Sequence, residues 1–140
     1  MGEVRVKVKI TNAADDTLAR RKQLPVGEVR TLTATALVDT GAVRLVLPSF
    51  VAEQLGLERV GKQVAEYADG RLDEVDVTEP VYIEIDGRRT ADEALVLGDE
   101  VLIGQTVLEK TDMQVDCAGR QLIPNPAHPD QPVSKVKRVR

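Results

Sequence analysis

The side chains best placed to do chemistry are Asp39, Thr40 and Gly41, which follow the apolar run Ala36-Leu37-Val38. An apolar strand packs into a core and fixes the loop that leaves it, so a carboxylate at its end faces a cleft from a set position. Thr40 brings a hydroxyl that can brace the loop, and Gly41 lets other backbone approach the carboxylate closely. One such carboxylate is half a site for hydrolysis of a peptide bond by water. Two carboxylates a few ångströms apart cannot both ionise and therefore share a proton. One then acts as general base on the water while the other donates to the carbonyl oxygen. The chain has one Asp-Thr-Gly, so the second carboxylate must come from another copy.

The remaining reactive inventory is thin. With His128 and Cys117 the only residues of their types, neither a zinc site nor a Cys-His nucleophile can be built, and no internal disulfide is possible. Cys117 reads as a small strand residue. The acidic group Asp69, Asp73, Glu74 and Asp76 does not have calcium-loop spacing and reads as a solvated hairpin. No metal and no organic cofactor is implied.

A length of 140 residues suits one domain. Aromatic residues are only 2%, so the core must be aliphatic, and its abundant valine favours strands. The net charge is −4, and the last six residues carry four cations. Residues 1–134 are therefore at −8, which argues against nucleic acid, since that partner demands a basic face. No stretch reaches the roughly 20 apolar residues of a membrane span. With no signal-peptide pattern at the start and a lone cysteine, the expectation is a soluble cytoplasmic protein without a membrane partner.

The elements that must hold Asp39 are mostly short strands. Val4, Val6, Val8 and Ile10 alternate with Arg5, Lys7 and Lys9, the period-2 pattern of a half-buried strand. Residues 12–16 and 24–28 read as turns, and residues 29–38 as a long strand running into Asp39, with a short apolar strand at residues 43–47 beyond it. Ser49 is placed to cap a helix carrying Phe50, Val51 and Leu55, which Gly56 ends. Asp69-Gly70, Asp86-Gly87 and Ala118-Gly119 mark hairpin turns. Short apolar runs flank Gly98-Asp99, and residues 104–110 suit one or two helical turns. Past Pro124 apolar residues thin out, so residues 1–126 are expected as the domain and 127–140 as a flexible basic tail. Many short strands with regular turns indicate an all-β barrel or sandwich with one or two short helices.

Ala36-Leu37-Val38-Asp39-Thr40-Gly41-Ala42, taken with the downstream run Leu102-Ile103-Gly104, resembles the retropepsin family, the retroviral-type aspartic peptidases and their bacterial relatives. The order of elements matches over residues 4–126. The resemblance implies a closed barrel-like all-β fold, a homodimer, and an aspartic endopeptidase acting on peptide or protein substrates. It makes Asp39, Thr40 and Gly41 catalytic and implies substrate contacts from Ala42, Arg44 and Ile103. It also implies a flap over residues 66–74, with Tyr67, Ala68, Asp69 and Gly70 touching substrate. The chain departs from its retroviral relatives at Val43 and Arg44, where acidic residues are frequent, at a flap tip poorer in glycine, and at Gln105, where arginine is common. Two rival functions are a non-catalytic peptide-binding module on the same fold and a non-enzymatic all-β interaction protein.

Overall fold

The computed structural model describes residues 2–137. Strand β1 (Val4–Asn12) buries Val4, Val8 and Ile10 and exposes Arg5, Lys7 and Lys9, as the alternation requires. It pairs antiparallel with β2 (Thr31–Val38) on one side and β6 (Val81–Ile85) on the other. β6 turns at Asp86 and Gly87, both at positive φ, into β7 (Arg88–Asp92). The site side of the sheet holds β3 (Leu45–Leu47), the hairpin of β4 (Arg59–Glu66) and β5 (Leu72–Thr78), β8 (Ala94–Val96) and β9 (Leu102–Ile103).

The nine strands run β4-β5-β8-β3-β9-β2-β1-β6-β7, and β10 (Met113–Asp116) and β11 (Gln121–Pro124) form a separate hairpin. The all-β expectation is met. The ladder order runs between two ends, β4 and β7, and so does not by itself establish the closed barrel.

The main core is largely aliphatic, drawn from β1, β2, β3, β6, β8 and β9 and from residues 51–52 and 107–108, with Ile10, Leu45, Leu47, Ile83 and Ile103 fully buried. Each such side chain contributes about 1.5–3 kcal/mol relative to exposure, which makes this cluster the principal source of stability. The lone phenylalanine, Phe50, stays outside it at 59% exposure.

Three short α-helices complete the fold: α1 (Ala13–Arg20), α2 (Ser49–Gln54) and α3 (Gln105–Thr111). Helix α1 corrects the turn expected at residues 12–16. Asn12, buried at the end of β1, accepts the Asp15 amide on Oδ1 at 3.0 Å and donates from Nδ2 to the Leu55 carbonyl at 2.8 Å. One side chain thus caps α1 and secures the chain leaving α2. Asp15 in turn accepts the Nε, Nη2 and backbone N–H of Arg30 at 2.8–3.0 Å. The Arg30 guanidinium holds this buried carboxyl below the ordinary range. In α2, Pro48 occupies the cap position and makes no side-chain cap bond, so Ser49 is the first helical residue rather than the cap. Cys117 is exposed in the turn between β10 and β11, not within a strand.

The segment after β11 is tied to the body as far as Val133. Asp112, at positive φ after α3, accepts Asn125 Nδ2 on Oδ1 at 3.0 Å. Its Oδ2 accepts His128 Nδ1 at 2.6 Å and the Val133 amide at 3.0 Å. Buried Arg88 donates to the Asp112 carbonyl at 2.9 Å and the His128 carbonyl at 2.5 Å. The basic end expected as part of the tail falls partly on residues 138–140, outside the described residues. Among the described residues no helix is long and apolar enough to cross a membrane.

Candidate active site

Asp39 leaves β2 directly after Val38, half-buried. Its amide donates to the Ile103 carbonyl at 2.9 Å, and its carbonyl accepts the Ala42 amide at 3.1 Å, closing a tight turn. The Gly41 amide donates to Asp39 Oδ1 at 3.0 Å. Oδ2 has no hydrogen-bond partner among the described residues, so one oxygen is anchored and the other is available.

The turn is braced from behind by β9 and the start of α3. β9 runs parallel to β2 and antiparallel to β3, wedged between the two strands that the Asp39 loop connects. From α3, Gln105 donates its amide to the Ala42 carbonyl at 2.9 Å and its Nε2 to the Thr40 carbonyl at 2.8 Å. The Thr106 amide donates to the Val43 carbonyl at 3.0 Å. The Thr106 hydroxyl is 3.0 Å from both that carbonyl and Asp92 Oδ2, and its single proton serves one at a time. This packing explains Gly104: a Cβ there would lie 2.7 Å from the carbonyl oxygens of both Ala42 and Arg44. Gln105, standing where an arginine is common among the retroviral relatives, fastens the loop through a neutral amide instead of an ion pair.

Opposite the loop stands the β4–β5 hairpin. Its tip is closed by the Tyr67 amide on the Arg71 carbonyl and the Gly70 amide on the Tyr67 carbonyl, both at 2.9 Å, with Gly70 at φ +87°. The Arg71 guanidinium lies 4.8 Å from the Tyr67 ring centroid and 2.9 Å from Asp69. The backbone N–H and guanidinium of Arg71 hold the Asp69 carboxyl below its usual value.

A cleft of about 700 Å³ separates loop from hairpin. Asp39, Gly41, Ala42 and Arg44 line it from the loop side, and Tyr67 and Ala68 from the hairpin, so six residues expected at the site meet there. Val43, Val64, Ala65 and Glu66 add to these two sides, and apolar Val46, Leu95, Leu97 and Leu102 line the space between them. These last four were not expected, and only long-range pairing of β3, β8 and β9 brings them together. Asp69 and Gly70 sit at the hairpin tip and are not among the cleft residues.

Ile103 is a correction. It is fully buried and supports the loop from below, and it is not among the cleft residues. Its neighbour Leu102 lines the cleft, because successive strand residues face opposite ways. Thr40 is exposed and lines a second cavity of about 590 Å³, which also borders Asp39. That cavity is walled by Glu3 and Val4 near the start of the chain and by Cys117 and Arg120 of the last hairpin. A third groove, beside Tyr82, carries Lys9, Glu84, and Arg20 and Arg89, the last two already paired with Asp16.

The family described as "gag-polyprotein putative aspartyl protease" matches residues 26–110, a span running from before β2 through the Asp39 loop and hairpin into α3. The chain belongs to this family. No curated protein matches the sequence as a relative. The span shared with the aspartyl protease family includes Asp39, Thr40, Gly41 and Gly104, and it excludes β1 and the β10–β11 hairpin.

Proposed function

We propose that the protein is an aspartic endopeptidase working as a homodimer, with Asp39 and its symmetry mate sharing one proton across the axis. One observation carries this reading: Asp39 keeps one carboxylate oxygen free on a braced loop that borders both an apolar cleft and a second cavity. The cleft supplies room for an extended peptide. The second cavity, walled by the two ends of the domain and by Thr40, supplies a face for another copy. A two-fold axis there turns one motif into a pair, and isologous pairing is the commonest oligomer symmetry.

The chemistry follows from the shared proton. The ionised carboxylate takes a proton from a water held between the pair, and the water oxygen attacks the scissile carbonyl carbon. The protonated carboxyl donates to the carbonyl oxygen, giving a neutral tetrahedral diol. A carboxyl then protonates the leaving nitrogen while the other carboxylate takes a proton from a diol hydroxyl; the C–N bond breaks, the carbonyl re-forms as a carboxylic acid, and the pair keeps its single proton. Thr40 braces the two loops, and Gly41 and Ala42 form the floor beneath the scissile bond. The β4–β5 hairpin closes over the substrate and excludes water.

A peptide-binding module is the second reading. It is favoured by β4, an end strand of the sheet whose residues reach the cleft and could pair with an extended chain. A peptide library incubated with the protein and with Asp39→Asn separates the two. Cleavage is expected from the native chain, falling about 10³-fold or more in the variant, and its specific activity should drop on dilution as dimers separate. Cleavage undiminished in Asp39→Asn overturns the enzyme reading, and peptide binding without cleavage in either protein favours the module.

A further inference from the structure

The loop after the catalytic motif carries Arg44, and its setting is unusual for a cation. The side chain is 25% exposed, so most of it is packed into the cleft wall. Nη1 donates to Gln63 Oε1 on β4 at 3.0 Å, a neutral acceptor that orients the guanidinium without cancelling its charge. The nearest carboxylate, Glu93, is 3.7 Å from Nη2, beyond hydrogen-bond length, and its side chain is 49% exposed. An ion pair that long and that wet contributes at most about 1 kcal/mol. Arg44 therefore holds a fixed, under-compensated positive charge with free N–H donors beside an apolar floor.

Such a guanidinium accepts a carboxylate in a two-point arrangement, and partial exclusion of water strengthens the contact. Apolar side chains of a substrate are served by Val46, Leu95, Leu97 and Leu102. The other charged groups on the cleft are Asp39, reserved for the chemistry, and Glu66, which is exposed at the end of β4. We infer that Arg44 makes the cleft selective for peptides in which an acidic side chain flanks an apolar residue. This rests on reading the cleft as the substrate site of a peptidase, and it names the substrate class.

The test uses paired octapeptides with two central apolar residues and either Glu or Gln at each flanking position in turn. Cleavage by the native protein is scored as kcat/KM, and binding to Asp39→Asn by calorimetry gives a readout that needs no turnover. At one flanking position Glu should be favoured over Gln by roughly tenfold in both measurements, the scale of one charge-assisted contact. The preference should sit in KM more than in kcat and shrink as salt rises. Arg44→Gln should bring the Glu/Gln ratio close to one, and Arg44→Glu should reverse it. Gln63→Ala, which unfastens the guanidinium from the hairpin but keeps the cation, should lower the ratio less than Arg44→Gln does, and so separates the charge from the hairpin contact. Asp39-dependent cleavage with no acidic preference, or with a preference for lysine set by Glu66, overturns this inference and leaves the peptidase reading standing. Absence of cleavage with the Glu preference intact in binding does the reverse.

Discussion

The two walls of the cleft are built on opposite principles. The Asp39 loop is short and fastened at nearly every carbonyl: Thr40, Ala42 and Val43 each accept a donor from Gln105 or Thr106, and the Asp39 amide is taken by Ile103. The outer β4–β5 hairpin is bonded almost wholly to itself. β5 meets β8 only at Asp76 and Val77, and beyond that the Arg44–Gln63 contact is the one hydrogen bond joining residues 62–74 to the body among the described residues. Val64 and Leu72 are more than half exposed on it. Under the proposed peptidase reading, the carboxylate is held where fluctuation would cost catalysis, while the hairpin is left with few buried contacts so that it can open.

The comparison breaks most sharply at Gly104. Gly104→Ala would drive a methyl into two backbone carbonyls that β3 and the Asp39 loop hold in place, and neither can retreat without loosening the loop. A destabilisation of about 3 kcal/mol is expected, at the upper end for an overpacked site, together with loss of activity. Urea melts placing the variant within about 1 kcal/mol of the native protein would show that the brace is softer than its geometry implies.

A smaller effect sharpens the same contrast without touching the sequence. Amide exchange at residues 64–72 should run at least about a hundredfold faster than at residues 37 and 39, whose amides bond to Val101 and Ile103. A bound peptide should slow the hairpin and leave the loop unchanged. Equal protection in the two walls would remove the distinction.

Much of this plan was legible in the amino-acid order, and the exceptions have physical causes. Strict alternation located β1 and β6, and the glycines at positions 70, 87 and 119 located three hairpins, because both signals are local. The start of helix α1 carries no apolar period, because Ala13 and Ala14 are followed at once by Asp15 and Asp16. Its cap, Asn12, reads as a turn residue until the Leu55 carbonyl, 43 positions away, is seen to take its amide. The Asn-x-x-Asp spacing from Asn12 to Asp15 was the one local sign of that helix. At the site, Asp39 and its glycines were readable because the motif is contiguous. The apolar floor was not, since Val46, Leu95, Leu97 and Leu102 converge only through non-local pairing. Ile103 was misplaced by a single step of strand parity. The segment after Pro124 looked like a free tail because its anchors, Arg88 and Asp112, lie outside it in sequence.

That anchor bears on how the protein meets acid. The Asp112 side chain is 14% exposed, and Asn125, the Val133 amide and His128 hold its carboxyl down at about 2. A carboxyl depressed on folding contributes stability that is complete above its unfolded value, near 3.8, and is lost as pH falls through the folded one. The clasp on the C-terminal segment therefore stays fastened through mild acid and opens only between about pH 4 and pH 2. Circular dichroism followed through an acid titration should show Asp112→Asn less stable than the native chain at pH 6, with the gap closing toward pH 2. A gap that persists unchanged at pH 2 would mean that the charge is not what fastens it. Assays run above about pH 4 therefore meet a C-terminal segment that is still fastened.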